Sequence, residues 1–381
     1  MDNKETNPEM YVVNLSAYTK PLVTESYYKD WVQYGKDNNY FQYIIDRYNS
    51  SVTQAAMVNG IADMIYGKGV KAKDASKKPG EWAQFVKLFR NEDVEKIVMD
   101  YKLFGSAAIQ CIYNAKHDAI VEIYHIPVDT LRAEKVDEDG IIAGYYYSEN
   151  WSKVYGKNKP ERFSAFGTSD DPLEILMIRN YRPGNFYYSP PDYGAGLVYA
   201  ELEEEIASYH ISNIKNGFAP STLINFNNGQ AKTLKQRQDI EQQINAKFAG
   251  TAGRKIVLSF NESSENETNI QTIQLSDAHN QYQFLSDEAM KKIFMSHRVT
   301  SPRLFGIMEN GGLGNNADEI QTASIFMEST VIRPFRETLL NGFDKILSFN
   351  QISLDLYFDS LQPWKSSEEG DIVGNTNDNN E

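Results

Sequence analysis

Cysteine is nearly absent: Cys111 is the single one in 381 residues, which excludes an intrachain disulfide and any metal site built on several thiolates. A reducing compartment fits that scarcity. Long apolar runs are missing too, so no transmembrane helix is expected. The polar opening MDNKETNPEM lacks the basic and apolar segments of a secretory signal. Positive charge is in deficit, with 38 Lys and Arg against 52 Asp and Glu and a formal net charge of −14. A protein that works by gripping nucleic-acid phosphates needs clustered cations. A passage along which a polyanion slides does not, because each phosphate contact adds affinity and therefore friction. The five histidines, His117, His125, His210, His279 and His297, show no H-x-x-x-H or H-E-x-x-H spacing. There is no G-x-S-x-G elbow. The loop Gly67-Lys68-Gly69 is not a phosphate-binding loop, since its glycines are two apart and neither Ser nor Thr follows the lysine. No catalytic residue, cofactor or metal is expected from these motifs.

What is present is a globular composition, 41% hydrophobic and 24% charged, with length enough for two or three domains. Twenty-four tyrosines and 19 phenylalanines read as large amphipathic side chains for cores and subunit interfaces. Glu201, Glu203, Glu204 and Glu205 spread over more than half a helix circumference and read as a solvated first turn. Asp137 and Asp139 spell D-x-D, but Gly140 follows at once, and a hairpin turn explains them better than a metal-dependent nuclease site.

Taken in order, residues 1–25 form a polar arm, and residues 26–192 an α+β unit. Helices are expected over 26–35, over 40–59 with Phe41, Ile44, Ile45, Tyr48 and Val52 on one face, and over 81–91 and 92–103. Short strands follow at 108–113, 119–126, 131–136, 141–148, 153–155, 162–166 and 173–180, as an antiparallel sheet packed on those helices. Pro190 and Pro191 stop any helix before them. Residues 193–217 then read as a rod of about 34 Å. An α/β insert occupies 218–275, with strands at 221–226, 254–260 and 268–275 and a helix at 233–249. A second rod covers 276–299, striped by Tyr282, Leu285, Ala289, Ile293 and Phe294. Residues 300–317 hold Asn310, Gly311, Gly312, Leu313, Gly314, Asn315 and Asn316, uncharged and free to adopt many conformations. The third long helix, 318–348, must bend at Pro334, whose ring meets the carbonyl of Thr330 and which donates no hydrogen bond. A last strand lies within 349–364. The acidic tail 365–381 has no core-forming pattern and is expected to be disordered.

Several short signatures fall in a telling order: Tyr101, Gly105 and Ala107 between a helix and a strand; Pro191-Asp192-Tyr193-Gly194 before the first rod; Asn216-Gly217-Phe218-Ala219-Pro220 after it; Ser301-Pro302-Arg303-Leu304-Phe305-Gly306 after the second; and Ile332-Arg333-Pro334-Phe335 inside the third helix. This series resembles the portal proteins of tailed bacteriophages. The resemblance implies an α+β portal fold with a wing (26–192), a stem of two helices, a small α/β clip, a tunnel loop (300–317) and a kinked tunnel helix, the crown being absent or reduced. It implies a ring, a dodecamer, at one vertex of a capsid assembled in the host bacterial cytoplasm. Double-stranded DNA would pass through it, without sequence specificity, during packaging and ejection. The implied partners are further copies of the chain, the major capsid protein or scaffold, the terminase large subunit, which would hydrolyse the ATP, and the head–tail connector; no membrane and no enzymatic activity are implied. Asn310 to Asn316 would project into the DNA path. Lys291, Lys292, Arg298 and Arg303, with His297 between them, have two readings: contact with DNA phosphate in the bore, or complementing a helix C-terminus and pairing with acids of the next subunit. Two other classes stay open: a phage-encoded α+β enzyme such as a nuclease with a glycine-rich lid at 310–316, and a head scaffold without a channel.

Overall fold

The structure, a computed structural model, describes residues 21–154, 156, 158–215, 222–226, 256–260, 278–307 and 317–361. They divide into two compact units, residues 1–198 with 293–381, and residues 199–292.

The first unit begins with a β-hairpin, β1 (Val23–Glu25) paired antiparallel with β2 (Val32–Tyr34). A helix expected over 26–35 is therefore a hairpin. Val32 and Tyr34 are both fully buried while Gln33 between them is not, so a period of two wins over a period of 3.6. Helix α1 (Tyr40–Ser50) and helix α2 (Val52–Tyr66) replace the single expected helix. Ser51 leaves the helical conformation and caps α2, its Oγ accepting from Gln54 N–H at 3.1 Å. Strand β3 (Val70–Ala72), helix α3 (Pro79–Leu88) and helix α4 (Asn91–Phe104) follow.

Strands β4 (Ser106–Tyr113), β5 (Ile120–Ile126), β6 (Leu131–Ala133), β7 (Gly144–Tyr147), β8 (Glu161–Ala165) and β9 (Leu173–Arg179) form one six-stranded sheet in the order β5-β4-β9-β8-β7-β6. It is mixed rather than wholly antiparallel, because β8 runs parallel to β9. Trp151–Lys153 is a 3₁₀ turn, capped by Asn150, where a strand was expected over 153–155. Central strand β4 is buried on both faces. Ala107, Ile109, Cys111 and Tyr113 belong to the core shared with α2, α4 and the C-terminal helix, and Ala108 points into a second core with Tyr34, Tyr40, Phe41 and Tyr188. In that second core Tyr34 stacks on Tyr188 at 4.3 Å, and Phe41 meets Tyr34 edge-on at 5.1 Å. The free edge of β5 is blunted by Asn350, whose side chain bonds both the N–H and the C=O of Ile120, at 2.7 and 2.8 Å.

Helix α5 (Leu197–Lys215), strands β10 (Thr222–Phe226) and β11 (Ile256–Phe260), and helix α6 (Ala278–Ser296) come next. Most of α5 and α6, with β10 and β11, make the second unit. There β10 and β11 pair in parallel, which requires a crossover connection; the helix expected over 233–249 and the strand over 268–275 lie outside the described residues. Within this unit Tyr209 stacks on Tyr282 at 4.4 Å, Ile206 and Ala289 are buried, and Ile211, Ile214 and Phe284 are more than half exposed.

Back in the first unit, a 3₁₀ turn (Pro302–Phe305) precedes helix α7 (Ala317–Met327). A π-helical turn (Glu328–Ile332) joins α7 to helix α8 (Arg333–Phe349). The helical run is thus interrupted just before Pro334, which sits in the first turn of α8. A wider turn gives the pyrrolidine ring room, and the hydroxyls of Ser329 and Thr330 both donate to the carbonyl of Phe326, at 3.0 and 2.7 Å. Arg336 then fastens α8 to α2. It donates to the C-terminal carbonyls of Met64 and Ile65, and to Glu328 Oε1 at 2.6 Å. Finally β12 (Leu356–Phe358) pairs with β3.

Gly105 ends α4 in the left-handed conformation, φ 79°, and a Cβ there would lie 2.6 Å from the carbonyl oxygen of Pro190. Gly105→Ala is expected to lose about 2–4 kcal/mol from the left-handed strain and the backbone clash together, read as a lower urea midpoint in tryptophan fluorescence.

Candidate functional site: a buried charge cluster at the ends of the long helices

Lys102 lies in the last turn of α4, between Tyr101 and Leu103, and is completely buried. A lysine there needs a counter-charge, and Asp192 supplies one at 2.9 Å. Asp192 is held in place by Pro190 and Pro191 before it, and by the 3₁₀ turn Gly194–Gly196 that opens into α5. Its second oxygen takes Arg298 at 3.0 Å. Arg298 stands two residues past the end of α6 and adopts a left-handed conformation, φ 58°. One carboxylate therefore ties the segment that leads into the first long helix to the segment that leaves the second and to α4.

Aromatic rings close the cluster. The Lys102 ammonium stands 5.0 Å from the Tyr193 ring centre and 5.1 Å from that of Phe335, so the side chain trades water for ring quadrupoles. Tyr193 stacks on His297 at 4.3 Å and donates its hydroxyl to the carbonyl of Leu103 at 2.5 Å. His297, also completely buried, meets Gln54 of α2 at 3.1 Å. Gly196 faces Ser296 so closely that a Cβ would collide with the serine side chain, which brings the ends of α5 and α6 into backbone-scale contact.

Burial pushes the Lys102 ammonium down from its ordinary range, with Asp192 opposing. For Asp192 burial acts upward, but Lys102, His297 and Arg298 outweigh it and hold the carboxyl below the usual range. His297 is pushed well down, first by burial and then by the neighbouring Lys102 charge, so it stays neutral. Lys102, Asp192 and Arg298 are committed to one another, whereas His297 Nδ1 is buried with no hydrogen-bond partner.

The residues singled out from sequence fall in different places. Lys291 is exposed and Lys292 pairs with Glu288 at 3.5 Å, both in the second unit. Arg298 is bound to Asp192, Arg303 is half-buried in the 3₁₀ turn, and His297 is inside the core. Residues 310–316 lie outside the described residues. Of the four acids of α5, Glu205 is exposed, and Glu201, Glu203 and Glu204 are half-buried. Among the described residues no group of three or more His, Cys, Asp or Glu could hold a metal ion, and no helix is long and apolar enough to cross a membrane. Sequence reasoning missed Lys102. Its partner stands 90 residues away, and nothing local marks a lysine as buried.

No family model matches the chain, and no curated protein matches it by sequence. Solved structures do. A chain in the virion of the native gene transfer agent (GTA) particle aligns with a TM-score of 0.54 and 16% identity, covering 84% of this chain and 83% of that one. A chain from the neck of the native GTA particle, computed with C12 symmetry, gives a TM-score of 0.53 and 16% identity over 83% of both chains. The protein has the fold of these particle chains. An HK97-family phage portal protein from Corynebacterium diphtheriae aligns with a TM-score of 0.48 and 14% identity over 83% of this chain and 95% of that one.

Lys102→Met should lose about 1–3 kcal/mol, because it leaves one buried oxygen of Asp192 without its charged partner while Arg298 keeps the other; chemical unfolding measures this. Acid should also weaken the fold. The folded pKa of His297 lies below 6.5, so as pH falls through about 6.5 the unfolded chain takes a proton that the native state refuses, and stability present above that value is lost. The depressed Lys102 acts below its unfolded value of 10.5, and Asp192 only below its unfolded value of 3.8. His297→Gln should flatten the fall in unfolding temperature between about pH 7.5 and about 5.5.

Proposed function

We propose that the chain is a portal subunit: a ring-former at one vertex of a capsid through which double-stranded DNA is packaged and ejected. The likeness to chains of a GTA virion and neck, over more than four-fifths of both partners, carries this reading. The residues that carry the sequence resemblance to portal proteins support it, because they converge in space. Asp192 and Tyr193 come from the Pro-Asp-Tyr-Gly signature, Phe335 from the Arg-Pro-Phe signature and Tyr101 from the Tyr-x-x-x-Gly signature. Tyr101 meets Phe335 at 5.4 Å, and Lys102 stands over both Tyr193 and Phe335. A motif set scattered over the sequence is here one joint.

In a ring, the exposed Ile211, Ile214 and Phe284 of the second unit would be covered by neighbouring subunits. C12 symmetry of the matched neck favours twelve subunits. Residues 218–275 would form the clip that docks the terminase large subunit and later the head–tail connector. Asn310, Gly311, Gly312, Leu313, Gly314, Asn315 and Asn316 would line the bore, neutral and without charge-based grip. Lys291 is the cation best placed to meet DNA phosphate or a neighbour's acid, whereas Arg298 serves the joint. Pro334 and the π turn would set the direction in which α7 leaves α8. The capsid protein or scaffold would hold the ring at its vertex, and ATP hydrolysis would belong to the terminase.

Negative-stain imaging with mass photometry on the full chain tests the reading. Rings of about a dozen subunits with a central hole are expected. A chain that stays monomeric through a concentration series up to the highest soluble level would overturn it. Ile214→Asp should raise the concentration needed for ring assembly about tenfold or more, since a charge in an apolar contact costs at least about 1.4 kcal/mol.

A further inference from the structure

On the wing, away from the charge cluster, a cleft of about 610 Å³ opens between the start of α1, the turn before β6 and the loop after β7. That size falls in the range of ligand-binding clefts. One wall is apolar, made of Phe41, Ile45 and Trp151; the rest is polar, with Asn39, Gln42, Thr130 and Ser148 among its lining. Arg132 forms part of the floor. Its guanidinium lies between the rings of Phe41 and Trp151, at 4.9 and 4.8 Å. It donates to Asn38 Oδ1 at 2.6 Å, to the Asn38 carbonyl at 3.1 Å, and to the carbonyls of Asp129 and Leu131, both at 2.8 Å. Its donors are spent on neutral oxygens, so it closes no ion pair within the cleft. Three carboxylates, Asp37, Asp129 and Glu149, line the same space. Among the described residues none of the three is in an ion pair.

We propose that this cleft is a docking site for a segment of another protein that presents a lysine or arginine side chain. The cleft itself supplies the two features such a side chain needs. Half-buried Ile45 and Trp151 offer apolar surface along which the aliphatic stem can lie, and the carboxylates offer acceptors for the head. The volume exceeds what one side chain fills and leaves room for the flanking backbone, which Asn39, Gln42, Thr130 and Ser148 can hydrogen-bond. The charge of the chain, −14 overall, draws a basic partner to it. Asp129 adds support. Burial, and then the nearby Asp100 carboxylate, push its pKa up against the weaker opposing pull of Arg132 and His125, so an incoming cation would stabilise its charged form. The proposal is independent of the ring reading and survives or fails on its own.

The test is ligand-observed NMR titration of the full chain at low salt, with acetyl-Gly-Arg-Gly-amide and its citrulline isostere, which keeps the shape and lacks the charge. Saturable binding of the arginine peptide is expected, weakened about tenfold or more by citrulline and equally by Asp129→Asn with Glu149→Gln. Trp151→Leu should weaken it too. Glu138→Gln with Asp139→Asn, two acids in the 137–141 hairpin turn outside the cleft, should leave it unchanged. The proposal is overturned by absence of saturation, by equal affinity for the citrulline peptide, or by equal loss in the Glu138 and Asp139 variant, which would mean that the peptide reads only the net charge.

Discussion

A lysine with no exposed atoms cannot exist in a stable fold without compensation, and that constraint organises the centre of the first unit. Lys102 needs Asp192 within hydrogen-bonding distance, Asp192 needs a fixed backbone, and the two prolines and the 3₁₀ turn around it provide that. Once the carboxylate is fixed, Arg298 can use its second oxygen, and the beginning of one long helix is joined to the end of the other. Tyr193 and Phe335 exclude water from the ammonium, which strengthens the pair and makes it intolerant of change.

The remainder of the unit holds that joint still. β4 is buried on both faces, so the sheet cannot slide without exposing one core. Arg336 couples α8 to the end of α2 and to the π turn, so the segment that contributes Phe335 is fixed from the side of the wing. Tyr193 and His297 stack on each other inside this joint, and the tyrosine hydroxyl is bonded to the carbonyl of Leu103.

Much of the architecture could be read from the residues. The stops at Pro190 and Pro191, the long helix after them, and the short apolar strands β4, β5 and β9 are local patterns with local causes. The errors were local as well. Residues 26–35 hold enough apolar spacing for either period, and only the burial of Val32 and Tyr34 together decided for a hairpin. The strand expected at 153–155 gave way to a turn because Asn150 bonds the N–H of Ser152. Whether β8 runs parallel or antiparallel to β9 depends on how the chain returns, which no strand records in its own residues.

The sequence by itself determined most of the element types, the lack of motifs for metal or nucleophilic chemistry, and the signatures at Asp192, Pro302 and Pro334, because propensity, periodicity and proline geometry act over a few residues. Only the tertiary structure decided what those signatures are for. That Lys102 is buried, that Arg298 is held by Asp192, and that Arg132 is spent on neutral oxygens beside carboxylates that form no ion pair among the described residues all depend on residues far apart in sequence. Desolvation and pairing are properties of the assembled surroundings, and a charged residue looks the same in sequence whether water or protein surrounds it.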